Sequence, residues 1–249
     1  MIQKQLVQNS DGQNLFVLVE GPEDATRNIV FVHGNGVDMH GDFFDDVVPA
    51  LHAEGFRTIR FDLRGCGKSE GTQEEGNYAV FADDVRCVLA WAREQFAGEW
   101  NIIAQSMGCQ VVAKVCPEGI VRTVFTSIPS SDNEVRIQET KKRILAQGGV
   151  WDENGITWYV KKDGSQSRRG PTFWKEVRAF NAIEATERFS HKTKLLIVRP
   201  EQDDIVPDIG VKEYAAIPTL EFIRLPGNHS FKNPSDRAEL IKKVVAFLN

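Results

Sequence analysis

Short apolar stretches alternate along this chain with longer stretches in which the apolar residues recur at every third or fourth position. Residues 28–34, rich in β-branched and aromatic side chains, are typical of a strand buried on both faces. Residues 77–96 place Phe81, Val85 and Phe96 on one face of a helix and charged residues on the other. Strands that alternate with helices in this way indicate a parallel sheet.

The same patterns predict the remaining elements. Strands are expected at residues 15–20, 28–34, 58–65, 100–105, 121–128, 194–200 and 221–227, and helices at 43–56, 77–96, 107–116, 208–217 and 235–248. The alternation breaks over 129–190, where the segments DENG and KKDGS indicate turns and a small hairpin. We therefore expect an α/β core from residues 1–128 and 191–249, interrupted by an insertion at 129–190.

The insertion carries aromatic and basic side chains that have two interpretations each. The aromatic residues form a small core of the insertion, line a pocket, or do both. The basic residues form a solvated hairpin surface in the simpler interpretation, and they favour an acidic substrate in the other. The aromatic residues are Trp151, Trp158, Tyr159, Phe173, Trp174 and Phe180, and the basic ones are Lys161, Lys162, Arg168 and Arg169.

Composition and charge exclude several classes of protein. The 249 residues, 41% hydrophobic and 26% charged, are typical of one globular domain. The net charge of −5, without a long basic run, argues against a nucleic-acid partner. The first residues lack the apolar core of a signal peptide, and no apolar stretch is long enough to predict a transmembrane helix. We expect a cytoplasmic protein, and the sequence leaves its oligomeric state open.

The cysteines, histidines and carboxylates form no pattern that predicts a metal site or a cofactor. The four cysteines show no C-x-x-C spacing, so we expect free thiols. The segment DMHGD offers Asp38, His40 and Asp42 as a weak alternative metal site. The segments GNGVDMHG and GCGKS lack the spacing of dinucleotide-binding and phosphate-binding loops.

Polar clusters follow four of the predicted strands, at the carboxyl ends where ligands bind in open parallel sheets. They are HGNG (33–36), AQSMG (104–108), PEQDD (200–204) and GNHSF (227–231). Ser106 lies between a strand and a helix, with the small residues Ala104 and Gly108 on either side. This setting is typical of a nucleophile elbow, usually written G-x-S-x-G. Since alanine adds only one methyl group to the tight turn, we expect it to be tolerated in place of the first glycine.

A serine hydroxyl needs a base within hydrogen-bond reach to act as a nucleophile. His229, in the loop after the last strand, is the candidate base. A carboxylate must then orient the imidazole, and the candidates are Asp203, its neighbour Asp204 and Asp132, which comes just after the strand that ends near residue 128. The backbone N–H of Met107, directly after the serine, is a candidate donor to an oxyanion because it also opens a helix.

Taken in chain order, these clusters resemble the α/β-hydrolase fold, whose catalytic residues follow the order serine, acid, histidine. FDLRGCGKS (61–69) is similar to the D-x-R-G-x-G-x-S loop of many members, and EQDDIVP (201–207) is similar to the acid loop D-x-x-V-P. The chain looks most like the small serine esterases of the feruloyl (cinnamoyl) esterase and monoacylglycerol lipase kind. The resemblance spans nearly the whole chain, and it implies a mostly parallel sheet flanked by helices with a small cap at 129–190.

The resemblance also implies a role for each candidate residue. Ser106 is the expected nucleophile, His229 the base and Asp203, which aligns with the family's acid, the orienting carboxylate. The oxyanion hole is expected to consist of the backbone N–H groups of Asn35 and Met107.

The other reactive side chains receive structural roles. The resemblance implies that His33 shapes the oxyanion loop and is not the base. His40, His52 and His191 are expected on the surface because their sequence neighbours are polar. Cys66 and Cys109 are expected to be packing residues, since nothing in the sequence supplies either with a base.

These residues predict a serine hydrolase that cleaves a carboxylic ester of a small molecule through an acyl-enzyme intermediate, with no metal or organic cofactor. Three alternatives use the same triad: a thioesterase, a hydrolase of carbon–carbon bonds and an acyltransferase. A fourth alternative is a hydrolase-like binding protein without catalysis. A dehalogenase is disfavoured, because such enzymes of this fold carry aspartate at the position of Ser106.

Overall fold

A computed structural model of the protein describes residues 1–41, 43–161 and 164–249. The described residues form ten strands and eight helices. The strands are β1 (Ile2–Gln8), β2 (Asn14–Glu20), β3 (Arg27–Val32), β4 (Phe56–Phe61), β5 (Glu99–Gln105), β6 (Ile120–Thr126), β7 (Thr157–Val160), β8 (Gln166–Arg169), β9 (Lys194–Pro200) and β10 (Leu220–Leu225). The helices are α1 (Phe44–Ala53), α2 (Tyr78–Gln95), α3 (Met107–Val115), α4 (Asn133–Ala146), α5 (Pro171–Ala179), α6 (Ala182–Ser190), α7 (Lys212–Ala215) and α8 (Pro234–Leu248).

Eight of these strands form one sheet in the order β1-β2-β4-β3-β5-β6-β9-β10. The pairs β1–β2 and β2–β4 are antiparallel, and every other neighbouring pair in this sheet is parallel. The mostly parallel α/β architecture predicted from the sequence is confirmed. Because β3, β5, β6, β9 and β10 run the same way, the loops that follow them meet at one edge of the sheet.

Both faces of the sheet are covered by helices. Alternate residues of a strand point to opposite faces, and β3 shows this with Val30 and Val32 in one hydrophobic cluster and Ile29 and Phe31 in another. The first cluster includes buried residues of α2, α3 and α6, and the second includes those of α1 and α8. Burial on both faces explains why these strands read as continuous apolar runs.

Two elements at the periphery differ from the sequence prediction. Strand β1 was not predicted, because its side chains are largely polar and its apolar Ile2 and Leu6 are 72% and 62% exposed at the edge of the sheet. The helix predicted at 208–217 is wrong at both ends, because only Lys212–Ala215 (α7) is helical. Gly210 there adopts φ +76°, and the hydroxyl of Ser131 donates to its carbonyl.

The insertion contains α4, the hairpin β7–β8, α5 and α6. The predicted hairpin is present, with Lys161 N–H donating to Ser165 O at 2.8 Å across its turn; Lys162 and Asp163 lie outside the described residues. Helix α6 packs against α3, and Phe189 stacks on Phe125 of β6 at 6.0 Å between ring centroids. Helix α6 therefore lies in the helical layer that covers the sheet. That residues 129–190 form a separate cap remains a prediction.

Among the described helices, none combines the length and the apolar composition needed to cross a membrane.

The turn from β5 to α3 brings the helix very close to the end of β3. A Cβ atom on Gly108 would lie 2.3 Å from the carbonyl oxygen of Val32 and 2.7 Å from that of His33. Ala104, by contrast, is fully buried in the same cluster as Val30 and Val32, so its methyl group has a packed site. The two small residues beside Ser106 therefore face different steric limits.

This asymmetry gives the first prediction. Gly108→Ala should destabilise the protein by at least the upper end of the ~1–3 kcal/mol typical of overpacking, because backbone rather than a flexible side chain must move. Ala104→Gly should cost only about 1–2 kcal/mol, from one lost buried methyl and added backbone entropy. Urea unfolding of both variants measures the difference, and equal stabilities would contradict the close approach at Gly108.

Candidate active site

Three residues from separate loops meet at the carboxyl edge of the sheet. Ser106 follows β5, Asp203 follows β9 and His229 follows β10. The Nε2 atom of His229 lies 3.1 Å from the hydroxyl of Ser106. Its Nδ1 atom lies 2.9 and 3.0 Å from the two carboxylate oxygens of Asp203. The arrangement forms a continuous hydrogen-bonded chain from carboxylate through imidazole to hydroxyl.

Ser106 is held in an unusual backbone conformation. Its φ of +51° and ψ of −125° lie outside the helical and extended regions. A non-glycine residue with such a φ costs about 1–3 kcal/mol, and the cost persists only where the surroundings hold it. Here the Ser106 N–H donates to Thr126 O at 2.9 Å, and the Ser106 carbonyl accepts from Cys109 N–H at 3.0 Å. The turn therefore joins two central strands to the start of α3.

The three candidate carboxylates have different partners. Asp203 contacts the imidazole of His229, whereas Asp204 accepts a hydrogen bond from the His229 backbone N–H at 3.2 Å. Asp132 caps α4 by accepting from Val135 N–H at 3.0 Å. Of the three, the geometry places only Asp203 where a carboxylate orients the imidazole.

The Asp203 carboxylate is buried and bonded on several sides. Its side chain is 1% exposed, and Arg199, 2% exposed, donates to it at 2.6 Å. The backbone N–H groups of Ile205 and Val206 also donate to it, at 2.9 and 2.8 Å. Burial alone would raise the pKa of Asp203, but the hydrogen bond from His229 and the charge of Arg199 outweigh it and lower the pKa below its ordinary value.

Two residues that support this chain were not identified from the sequence. Arg199 is the penultimate residue of β9 and follows the apolar residues 195–198, and an arginine in a buried strand is itself a signal of a buried carboxylate partner. Ser127, directly after β6, adopts φ +53° and donates its hydroxyl to the His229 carbonyl at 2.7 Å. No local pattern marks Ser127, because the loop it holds is 102 residues away in the sequence.

The loop HGNG lies against the serine. A Cβ atom on Gly34 would come within 3.1 Å of the Ser106 Cβ atom and 2.3 Å of the Gln105 side-chain oxygen, so a larger residue there would displace the Gln105 side chain. His33, 1% exposed, accepts at Nε2 from Leu63 N–H at 3.0 Å. Since a backbone N–H can only donate, the His33 proton sits on Nδ1, 2.9 Å from Gly34 O. His33 thus ties the loop to the end of β4.

The side chain of Asn35 in the same loop is bonded to the insertion. Its oxygen accepts from the guanidinium of Arg169, which ends β8. Arg169 is only 3% exposed, so the interpretation of the basic hairpin residues as a solvated surface is wrong for Arg169. Burial lowers its pKa, and within the described part of the chain it forms no ion pair. Arg168, half-buried beside it, pairs with Glu74.

Core and insertion together enclose a cavity of about 260 Å³. Asn35, Ser106, Met107 and His229 line it from the core. The insertion contributes Tyr159, Phe173 and Trp174 from the hairpin and α5. Both interpretations of the aromatic residues hold, because Trp174 also packs on Trp151 at 4.3 Å between ring centroids.

The remaining histidines and cysteines lie in structural positions. His40 and His191 are exposed, and His52 is half-buried, with its Nε2 atom 3.0 Å from Thr58 Oγ1. All four cysteines are described and free. Burial raises the pKa of Cys66 to about 11 and that of Cys109 far above its ordinary value, which keeps both as packed thiols.

Within the described ranges, no group of three or more histidine, cysteine and carboxylate side chains is placed to hold a metal ion. Asp42, part of the alternative metal site with Asp38 and His40, lies outside those ranges.

Comparison with known proteins agrees with this architecture. Residues 27–147 match the family model of the alpha/beta hydrolase fold. The chain is 26% identical over 261 aligned positions to the non-heme chloroperoxidase CPO-A1 of Kitasatospora aureofaciens, covering 90% of this chain and 92% of the relative. Two further curated relatives are matched over only 45% and 14% of their own lengths.

Solved structures share the whole fold at low sequence identity. Est1E of Butyrivibrio proteoclasticus with bound ferulic acid superposes with a TM-score of 0.79 at 18% identity, over 98% of both chains. The esterase PF2001 of Pyrococcus furiosus superposes with a TM-score of 0.76 at 17% identity, over 100% of this chain and 90% of that one. The chain therefore has the α/β-hydrolase fold, as its resemblance to that family predicts.

The pairing of Arg199 with Asp203 gives a stability prediction. Arg199→Gln removes the cation and leaves a buried carboxylate, which should cost about 3–5 kcal/mol of unfolding free energy. The matched control is Arg224→Gln, because Arg224 is 38% exposed and pairs with Asp208, which is 64% exposed. Screening by solvent should limit the control to less than about 1 kcal/mol. Denaturant unfolding tests both, and similar losses would contradict the special role of the buried pair.

The lowered pKa of Asp203 gives a pH prediction. Its ionised form contributes stability above the unfolded-state pKa of about 3.9, and that contribution is lost as the pH falls through the lower folded-state pKa. Asp203→Asn removes this dependence. The difference in unfolding free energy between wild type and Asp203→Asn should therefore shrink between pH 6 and pH 3, and a difference that stays constant over that range would refute the assignment.

Proposed function

We propose that this protein is a serine hydrolase that cleaves a carboxylic ester of a small molecule through an acyl-enzyme intermediate. The observation that carries the proposal is the hydrogen-bonded chain from Asp203 through His229 to Ser106. A carboxylate on Nδ1 fixes the tautomer in which Nε2 accepts the serine proton. The esterase PF2001, similar in fold, supports an ester as the bond that is cleaved.

The first half of the proposed reaction forms the acyl-enzyme. His229 Nε2 takes the hydroxyl proton of Ser106 while the serine oxygen bonds to the ester carbonyl carbon. The tetrahedral intermediate carries a negative oxygen, which accepts hydrogen bonds from the backbone N–H groups of Asn35 and Met107. The carbon–oxygen bond to the alcohol then breaks, and the imidazolium returns its proton to the departing oxygen.

The second half releases the acid. A water molecule gives a proton to His229 and bonds to the acyl carbon, and a second oxyanion forms in the same position. The bond to Ser106 Oγ breaks, and His229 reprotonates the serine. Because Asp203 stays ionised, it stabilises the imidazolium at both stages.

Two features of the fold favour this chemistry. Met107 is the first residue of α3, whose N-terminal field favours negative charge near its N–H group. Residues of the insertion line the cavity that contains Ser106, so we propose that 129–190 acts as a cap that shields the acyl-enzyme from bulk water.

Loss of the nucleophile is the direct test. Ser106→Ala should lower kcat for a short p-nitrophenyl ester by about 10⁴–10⁶-fold, since a triad without its nucleophile retains only binding and oxyanion stabilisation. A matched control is Ser10→Ala, at an exposed turn between β1 and β2, which should keep wild-type turnover. Undiminished hydrolysis by Ser106→Ala would remove Ser106 from the mechanism.

Two further measurements separate the competing functions. A fluorophosphonate probe should label the wild type and Ser10→Ala but not Ser106→Ala, and a native protein that never labels would favour a binding protein without catalysis. Comparison of kcat/KM for a matched ester, thioester and diketone should rank the ester first, and a higher value for either other substrate would reassign the bond.

A further inference from the structure

Helix α4 presents two arginines to the cavity that holds Ser106 and His229. Arg136, Thr140 and Arg143 all line this cavity, and their spacing of four and then three positions places them on one face of the helix. We propose that this face binds a carboxylate of the substrate, so that the protein acts on esters that carry an acidic group. The proposal rests on the serine hydrolase function proposed above and names the substrate class for the same site.

Arg136 is oriented by buried neighbours. Its Nη1 atom donates to the side-chain oxygen of Gln110 at 2.6 Å and to the hydroxyl of Tyr78. Tyr78 and Gln110 are both 0% exposed, and Tyr78 also donates to Gln110, so the three side chains form a fixed network. The network spans α2, α3 and α4 and holds the guanidinium in one position.

This network leaves one edge of the Arg136 guanidinium available. Its Nε and Nη2 atoms make no hydrogen bond to any residue that the structure describes. Both atoms keep accessible surface, so a ligand in the cavity can reach them. Adjacent Nε and Nη2 groups form the edge on which an arginine binds both oxygens of a carboxylate. The available edge therefore matches a carboxylate better than a single-point acceptor.

Among the described residues, no carboxylate neutralises the positive charge of Arg136 and Arg143 at the cavity. None of the described residues that line the cavity is an aspartate or glutamate. Neither Arg136 nor Arg143 forms an ion pair with any residue that the structure describes. The guanidinium of Arg143 donates to Ile205 O at 3.3 Å and to no other residue in the described ranges. The acidic residues of α4 are engaged elsewhere, with Glu134 bonded to Arg178 and Glu139 to Lys142.

This local excess of positive charge contrasts with the chain as a whole, whose net charge is −5. The positive charge of the cavity attracts anions, whereas the net negative charge of the protein repels them. Anion binding is therefore favoured in the cavity over the rest of the surface. Tyr159, Phe173 and Trp174 provide apolar and aromatic area in the same cavity for the hydrocarbon part of the substrate. The chemistry recognised is an ester with an apolar body and a carboxylate.

The test compares charged and neutral esters. On the acyl side, p-nitrophenyl hydrogen glutarate is compared with p-nitrophenyl methyl glutarate. On the alcohol side, 3-carboxy-4-nitrophenyl acetate is compared with 4-nitrophenyl acetate. Within each pair, the ratio of kcat/KM values is taken on one protein sample, so the fraction of folded enzyme cancels and a partly unstable variant remains informative.

In at least one pair, Arg136→Gln should lower the wild-type ratio of charged to neutral substrate by about 10- to 100-fold, the effect of losing a charge-assisted bidentate contact. Arg136→Lys should recover part of this ratio, because lysine restores the positive charge but lacks the two parallel N–H donors of the guanidinium. Arg143→Gln should lower the same ratio independently. The matched control, Lys142→Gln, removes a cation from α4 that is 73% exposed and outside the cavity, and it should leave the ratio unchanged.

The outcomes separate the two proposals. If Ser106→Ala leaves all four hydrolyses intact, the serine hydrolase function fails, and the substrate proposal fails with it. If turnover depends on Ser106 but the arginine variants change neither ratio, or reduce charged and neutral substrates equally, the carboxylate site alone is overturned. A Ser106-dependent preference for the charged ester that Arg136→Gln abolishes and Lys142→Gln retains supports both.

Discussion

The close approach of helix α3 to the end of β3 is the constraint on which the site depends. Without a side chain on Gly108, the helix begins directly beside the carbonyl groups of Val32 and His33. In this turn Ser106 adopts a positive φ, and its hydroxyl lies within hydrogen-bond distance of the imidazole of His229. On the other side, a Cβ atom at Gly34 would press on the side chains of Gln105 and Ser106. The backbone strain at Ser106 is maintained by the packing of the turn between β5 and α3 against the end of β3.

Three charged side chains near the site, Arg199, Asp203 and Arg169, are buried. Desolvation makes an unpaired ion costly, so buried ions occur with partners or at functional positions. Arg199 pairs with Asp203, and the same carboxylate also contacts the imidazole of His229. Arg169 is different: it is buried next to Asn35 and has no ion pair among the described residues. Its charge faces the loop at which the proposed oxyanion forms.

The insertion completes the site. The core supplies the proposed nucleophile, base and acid, which are common to many reactions of this fold. The insertion supplies the aromatic area of Trp174 and its neighbours and the arginine face of α4, which we propose as the part of the cavity that selects the substrate.

The sequence alone determined the parallel sheet, the turn at Ser106 and the candidates Asp203 and His229, because strand burial, small residues at a tight turn and polar residues after strands are local signals. It did not determine β1, whose edge position leaves its side chains polar, or the short α7. Only the tertiary structure placed Asp203 against the imidazole of His229, buried Arg169 and directed Arg136 into the cavity. Each of these outcomes depends on contacts between residues far apart in the chain, such as Arg136 with Tyr78, which no local pattern encodes.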